Sequence, residues 1–273
     1  MRGAVTGADV DVTFWGVRGG MPAPGASTAR FGGNSPCVEV KLDAHRIVFD
    51  AGTGLRALGR ELIARSPVSG DLLFSHTNFN RICGLPFFAA AFHPQNSFRF
   101  WCGHRPEEGS IKEVLTRLMT DPVFPVPIDI FNAALSFHDF PGGEPIALGD
   151  GIATSTMAID SVRPGTAYRI GHRGASLVHA CAVSAEDAAG HLAGFASDAD
   201  LLVASLLDVA HVEGDRLLAG IAARAGVARL VVTDHAPEED DAALEAREAV
   251  LLRQFDGASL AREGATLHIE PRA

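Results

Sequence analysis

Apolar residues in this chain fall into short alternating or continuous runs separated by amphipathic stretches, the pattern left when strands and helices take turns. The runs Asp11–Trp15, Val38–Leu42, Arg46–Phe49, Asp71–Ser75 and Ser97–Trp101 predict strands. So do Ile152–Ala158, Ala167–Gly171, Leu177–Ala180, Leu201–Ala204 and Arg229–Thr233. Helical spacing predicts helices over Ile111–Met119, Ala185–Phe195, Arg216–Ala225 and Asp240–Phe255, with Gly226 placed as a C-terminal cap. A further helix leaves the turn Asp50-Ala51-Gly52-Thr53-Gly54 and runs through Arg65, its glycines serving the turn and close packing. The Pro-rich stretch Asp121–Pro127 reads as a loop over the surface or across the mouth of a site. Strands alternating with helices imply a layered α/β fold, in which loops after strands build the site.

Composition narrows this picture. With 273 residues, 47% of them hydrophobic and 21% charged, the chain has ample material for a large core. One domain over residues 11–273 is expected, after a flexible stretch 1–10. The longest apolar run, Leu85–Phe92, is far short of the roughly 20 residues that a membrane span needs. The opening residues lack a long apolar segment of signal-peptide type, so a cytoplasmic protein is expected. A net charge of −10, with 23 basic residues spread along the chain, argues against general nucleic-acid binding. Cys37, Cys83, Cys102 and Cys181 have no CxxC spacing and read as buried reduced thiols.

The candidate chemistry begins at the strand ending in Ser75, which opens into His76-Thr77-Asn78-Phe79-Asn80-Arg81 and a Gly-Leu-Pro turn. Together with Phe14–Gly20, Arg30–Cys37 and the Phe49–Gly54 run, this segment resembles the metallo-β-lactamase superfamily, most of all the branch of ribonuclease Z and the phosphonate-pathway cyclic phosphodiesterases. The resemblance runs from about residue 11 to about residue 270 and implies a four-layer αβ/βα sandwich with its site at the shared edge of two sheets. Such enzymes bind two metal ions roughly 3.5–4 Å apart, and a bridging water attacks an ester. The resemblance also implies a homodimer.

Laid on that pattern, the first histidine is His76, but Asn78 stands for the second, Asn80 for the aspartate and Arg81 for the third histidine. Downstream, Arg163-Pro164-Gly165 stands for His-Pro-Gly, Ala182 for the bridging aspartate and Asp234 for the last histidine, with His235 the alternative if the alignment shifts by one. One ligand of seven remains. Arginine cannot lose its proton to ligate, so this donor set excludes a binuclear centre, and no metal or other cofactor is expected. Two guanidiniums now face one carboxylate at these positions, a net positive charge without metal.

Two readings of the replaced site stay open. Arg81 or Arg163 pairs with Asp234 while Asn78 and Asn80 complete a network that plugs the old metal cavity; or the Arg and Asn side chains bind an anionic small molecule. His76, Asn78, Asn80, Arg81, Arg163, Asp234 and His235 are the candidate binding residues, and none is assigned a catalytic role. Asp50 is expected to orient the site loop through backbone hydrogen bonds. His211, near the position of a Gly-His-Ser-Thr element, and likewise His104 and His179, read as surface or core histidines. The sequence thus predicts a pseudoenzyme acting as a binding, regulatory or assembly module, its partner an anionic small molecule or a protein. The alternative is an atypical phosphodiesterase-like hydrolase with Asp234 or His235 as base and the arginines neutralising phosphate. A third reading is a scaffold contacting partners through its outer helices or the loop at Pro122–Pro127.

Overall fold

The structure, a computed structural model, describes residues 10–104, 109–149, 151–159 and 163–272. Its strands are, in chain order, β1 (Val10–Gly16), β2 (Cys37–Leu42), β3 (His45–Phe49), β4 (Ser69–Phe74), β5 (Ser97–Cys102), β6 (Ala134–Asp139), β7 (Ile152–Ile159), β8 (Gly165–His172), β9 (Ala175–Val183), β10 (Leu201–Leu206), β11 (Arg229–Val232), β12 (Ala258–Leu260) and β13 (Thr266–Ile269). They form two mixed sheets, ordered β13-β1-β2-β3-β4-β5-β6 and β12-β11-β10-β9-β8-β7. The stretch expected to be flexible, 1–10, lies outside the described residues apart from Val10, which already belongs to β1.

Strand alternation sorts the core into three layers of packing. In β4 Leu73 faces the other sheet, while Leu72 and Phe74 face the helices. In β10 Leu201 and Val203 face inward between the sheets, while Leu202 and Ala204 meet the outer helices of the second sheet. Both faces of these strands are therefore apolar, as a sheet covered on both sides requires. The helices Gly54–Ile63 and Ile111–Leu118 cover the first sheet, and Ala185–Phe195, His211–Arg224 and Asp241–Leu252 the second. The result is the expected four-layer αβ/βα sandwich. Among the described residues no helix is long and apolar enough to cross a membrane.

The helix at 211 starts five residues before the predicted Arg216, because its first turn, His211-Val212-Glu213, carries no apolar period. Gly226 ends it at φ 67°, as expected of a cap residue. The Asp121–Pro127 loop meets the first sheet's helical side, where Phe124 packs edge-on against Phe87 at 5.8 Å. Cys37, Cys102 and Cys181 are buried, whereas Cys83 is half-buried, with Sγ 3.8 Å from Ser35 Oγ.

Polar ties join the sheets at the C-terminal end of β4. The Tyr168 hydroxyl of β8 donates to the Phe74 carbonyl at 2.8 Å, and the Thr166 N–H to the Ser75 carbonyl at 2.8 Å. Two imidazoles are built into the layers nearby. His179 of β9 stacks on Phe49 at 4.3 Å, and His235 meets Phe31 edge-on at 5.9 Å while its Nε2 lies 2.8 Å from the Ala261 carbonyl.

Burial lowers the pKa of both rings to about 3, with Arg81 adding to the effect on His179. Each stays neutral in the fold, while the unfolded chain takes up a proton below about 6.5. The stability they confer is therefore complete above pH 6.5 and is lost as the pH falls from there towards 3. Urea unfolding at successive pH values is expected to show a loss approaching about 1.4 kcal/mol per pH unit for each histidine. An unchanged midpoint between pH 7 and pH 5 would mean that both rings titrate normally.

Candidate functional site

At the end of β4 the chain turns through Ser75 and His76 into the short helix Phe79–Ile82, which carries Arg81 inward. The turn after β3 brings Asp50 to the same point, and the turn after β11 brings Asp234. The Arg81 guanidinium lies between the two carboxylates: Nη1 donates to Asp50 Oδ2 and Nη2 to Asp234 Oδ2. The pairs are closed from solvent, with side-chain exposures of 2% for Arg81, 0% for Asp50 and 9% for Asp234. Burial pulls the pKa of the guanidinium down, but Asp234 and Asp50 outweigh that effect and raise it.

Hydrogen bonds hold both carboxylates. Asp50 accepts from the Ser75 N–H at 2.8 Å and from its hydroxyl at 2.7 Å, while Asp234 accepts from the Ser205 hydroxyl at 2.5 Å. Ser205 in turn accepts from the Ala182 N–H at 2.7 Å. Asp50, Ala182 and Asp234 all sit in the left-handed backbone region, at φ 61°, 55° and 59°. Aspartate tolerates that conformation better than alanine, whose Cβ has no compensating bond, so the left-handed position of Ala182 near the end of β9 is unfavourable for its residue.

His76 is buried beneath this pair. Its Nδ1 is 3.4 Å from Ser75 Oγ, its Nε2 has no hydrogen-bond partner, and Gly165 leaves room for the ring because a Cβ there would collide with Nε2. Burial, with Arg81 next in size, lowers its pKa to about 2.

Above the ion pair opens a cleft of about 240 Å³, lined among others by Asn78, Asn80, Arg81, Arg163, His211 and Asp234. Arg163 is exposed at the cleft and makes no ion pair or hydrogen bond among the described residues. Arg81, not Arg163, is thus the partner of Asp234. Asn78 and Asn80 depart from the expected network as well: their amides bond to nothing among the described residues and face the cleft. His235 does not join the site. It is fully buried against Phe31 and Ala261, because the left-handed turn at Asp234 sends successive side chains to opposite sides. Asp50 keeps its expected backbone bond to Ser75 but is also half of the central ion pair, so four charges rather than three set the balance: two guanidiniums against two carboxylates.

The two metal ions that the resemblance implies do not fit these residues. A guanidinium occupies the space between the candidate carboxylates and cannot ligate, and the one retained imidazole points Nε2 at the Gly165 backbone. Among the described residues no three His, Cys, Asp or Glu side chains converge to hold a metal.

No protein-family model and no curated protein matches this chain. Solved structures do. The metallo-β-lactamase fold protein YhfI from Bacillus subtilis is 17% identical, covering 95% of this chain and 99% of its own, with a TM-score of 0.65. A diphosphatase from the PhnP family is 15% identical over 96% of this chain and 98% of its own, with a TM-score of 0.66. The human short-form tRNase Z is 14% identical over 95% and 99%, with a TM-score of 0.63. At such identities the likeness is one of architecture, and with the two sheets and their helices in this order the chain has the metallo-β-lactamase fold.

Proposed function

We propose that this protein is a non-catalytic member of its fold, a binding or regulatory module whose cleft takes a small molecule bearing an anionic group. The observation that carries this reading is the placement of Arg81: a fixed guanidinium, paired with Asp50 and Asp234, holds the position where the fold's hydrolases need exchangeable metal charge. A water nucleophile has nothing to ionise it there. Arg163, without a partner among the described residues, lines the cleft together with Asn78 and Asn80, and these supply the donors that an anionic group requires.

The hydrolase alternative needs a general base within reach of substrate. His235 is buried away from the cleft, and Asp234 is engaged by Arg81 and Ser205, which leaves His211 as its candidate among the lining residues.

Purified protein is expected to carry far less than one transition metal per chain after dialysis, and chelators are expected to leave its melting temperature unchanged. Bis-p-nitrophenyl phosphate should not turn over with added Zn²⁺, Mn²⁺ or Fe²⁺. Stoichiometric metal, or turnover lost in His76→Ala or His211→Ala, would overturn the reading. Phosphate should raise the melting temperature of the wild type but not of Arg163→Ala, whose unliganded stability stays within about 0.5 kcal/mol because the side chain is exposed and unpaired.

A further inference from the structure

The charge at the floor of the cleft does not balance. Asp50 and Asp234 share one guanidinium, so the buried group carries one negative charge in excess. The neighbouring imidazoles of His76 and His179 are neutral and do not supply the missing positive charge. Asp50 is fully engaged, both oxygens bonded to Ser75 and one also to Arg81. Asp234 is not: Oδ2 receives Arg81 and Ser205, but Oδ1 is buried without any hydrogen bond. A buried carboxylate oxygen in that state calls for a positive donor, and the cleft, which Asp234 lines, is the way in.

The other end of the cleft has the opposite need. Arg163 is an exposed cation without a partner among the described residues, and the Asn78 and Asn80 amides lie on the same wall with no hydrogen bonds. Large exposed apolar side chains are carried by the segments that line the cleft. Met21 follows Gly20 and is 62% exposed, Phe79 lies between Asn78 and Asn80 at 68%, and Val212 follows His211 at 51%. Leu207, itself a lining residue, is 37% exposed. Exposed apolar side chains on the segments that build a polar cleft are available to cover the apolar part of a bound molecule. The cleft, about 240 Å³, has room for a small organic molecule.

We propose that the cleft binds a small zwitterion of the hydrophobic amino-acid type: its ammonium faces the Asp234 carboxylate, its carboxylate meets Arg163 and the Asn78 and Asn80 amides, and its side chain packs on Phe79 and the neighbouring rim. The proposal rests on the reading of the chain as a binding module and gives that module a ligand class. It also accounts for an unsatisfied carboxylate oxygen on Asp234 and an exposed guanidinium on Arg163 in one cleft, which an anion alone would leave half unmet.

The test is a thermal-shift and calorimetric comparison of L-leucine and L-phenylalanine with N-acetyl-L-leucine, which lacks the ammonium, L-leucinamide, which lacks the carboxylate, and glycine, which lacks the apolar group. A free amino acid at a hundredfold excess over its Kd should raise the melting temperature by about 5 °C, with each altered compound giving a much smaller shift. Arg163→Ala should abolish the response to leucine, and Phe79→Ser should weaken it several-fold without moving the unliganded melting temperature. Equal stabilisation by leucinamide would reduce the site to a cation site and overturn the proposal. Stabilisation by phosphate and N-acetyl-leucine but not by leucine would also overturn it, while leaving the anion-binding module in place. No response to any compound would remove the ligand assignment altogether, whereas metal-dependent turnover would instead remove the module reading on which it rests.

Discussion

The ion pair of Arg81 with Asp50 and Asp234 is the interaction on which the arrangement of the site depends. Its members come from three turns on two sheets, those after β3 and β4 in the first and after β11 in the second. Where the fold's hydrolases let metal ions tie these turns together, this chain uses one planar cation with a donor for each carboxylate. A guanidinium suits that task because it keeps its charge when buried and its donors lie in a fixed fork. The Ser75 and Ser205 hydroxyls also donate to these carboxylates, and the Tyr168 and Thr166 bonds across the sheets hold the frame in which the geometry is set.

A fixed internal cation differs from a metal in what it leaves behind. Metal ions offer open coordination positions and ionise water, whereas Arg81 spends its charge on its partners. The cleft above it is lined by the polar side chains of Asn78, Asn80, Arg163 and His211. Ala182 sits at a left-handed φ of 55° with no side-chain bond to favour it, a conformation that costs an alanine roughly 1 kcal/mol or more.

Much of the architecture was legible in the sequence, because strands buried on both faces write themselves as apolar runs. The strands that were not anticipated are β6, β12 and β13. β6 is an edge strand whose residues are at most half-buried, so its sequence carries little apolar bias, and β12 and β13 span three and four residues, too short for a period to register. In the site, the altered motif led directly to Arg81 and Asp234, and one of the two anticipated pairings is present. Asp50 as an ionic partner was not legible, since an aspartate in a glycine-rich turn is explained just as well by backbone hydrogen bonds, which it also makes. Nor could sequence separate Asp234 from His235: adjacent residues alternate sides only once the turn conformation is known, and the left-handed φ of Asp234 decides which of them faces the cleft.

The central claim is that Arg81 replaces metal as the tie between the sheets, and its most direct test is a mutant cycle on the three charges, read by urea unfolding at pH 7. Arg81→Met should destabilise the protein by about 3–5 kcal/mol, because two carboxylates are left buried without a cation. Adding Asp50→Asn and Asp234→Asn to that variant should restore more than half of the loss, since the amides no longer carry charge into the core. A loss below about 1 kcal/mol for Arg81→Met, the range of an exposed pair, or a triple variant no more stable than the single one, would contradict the account.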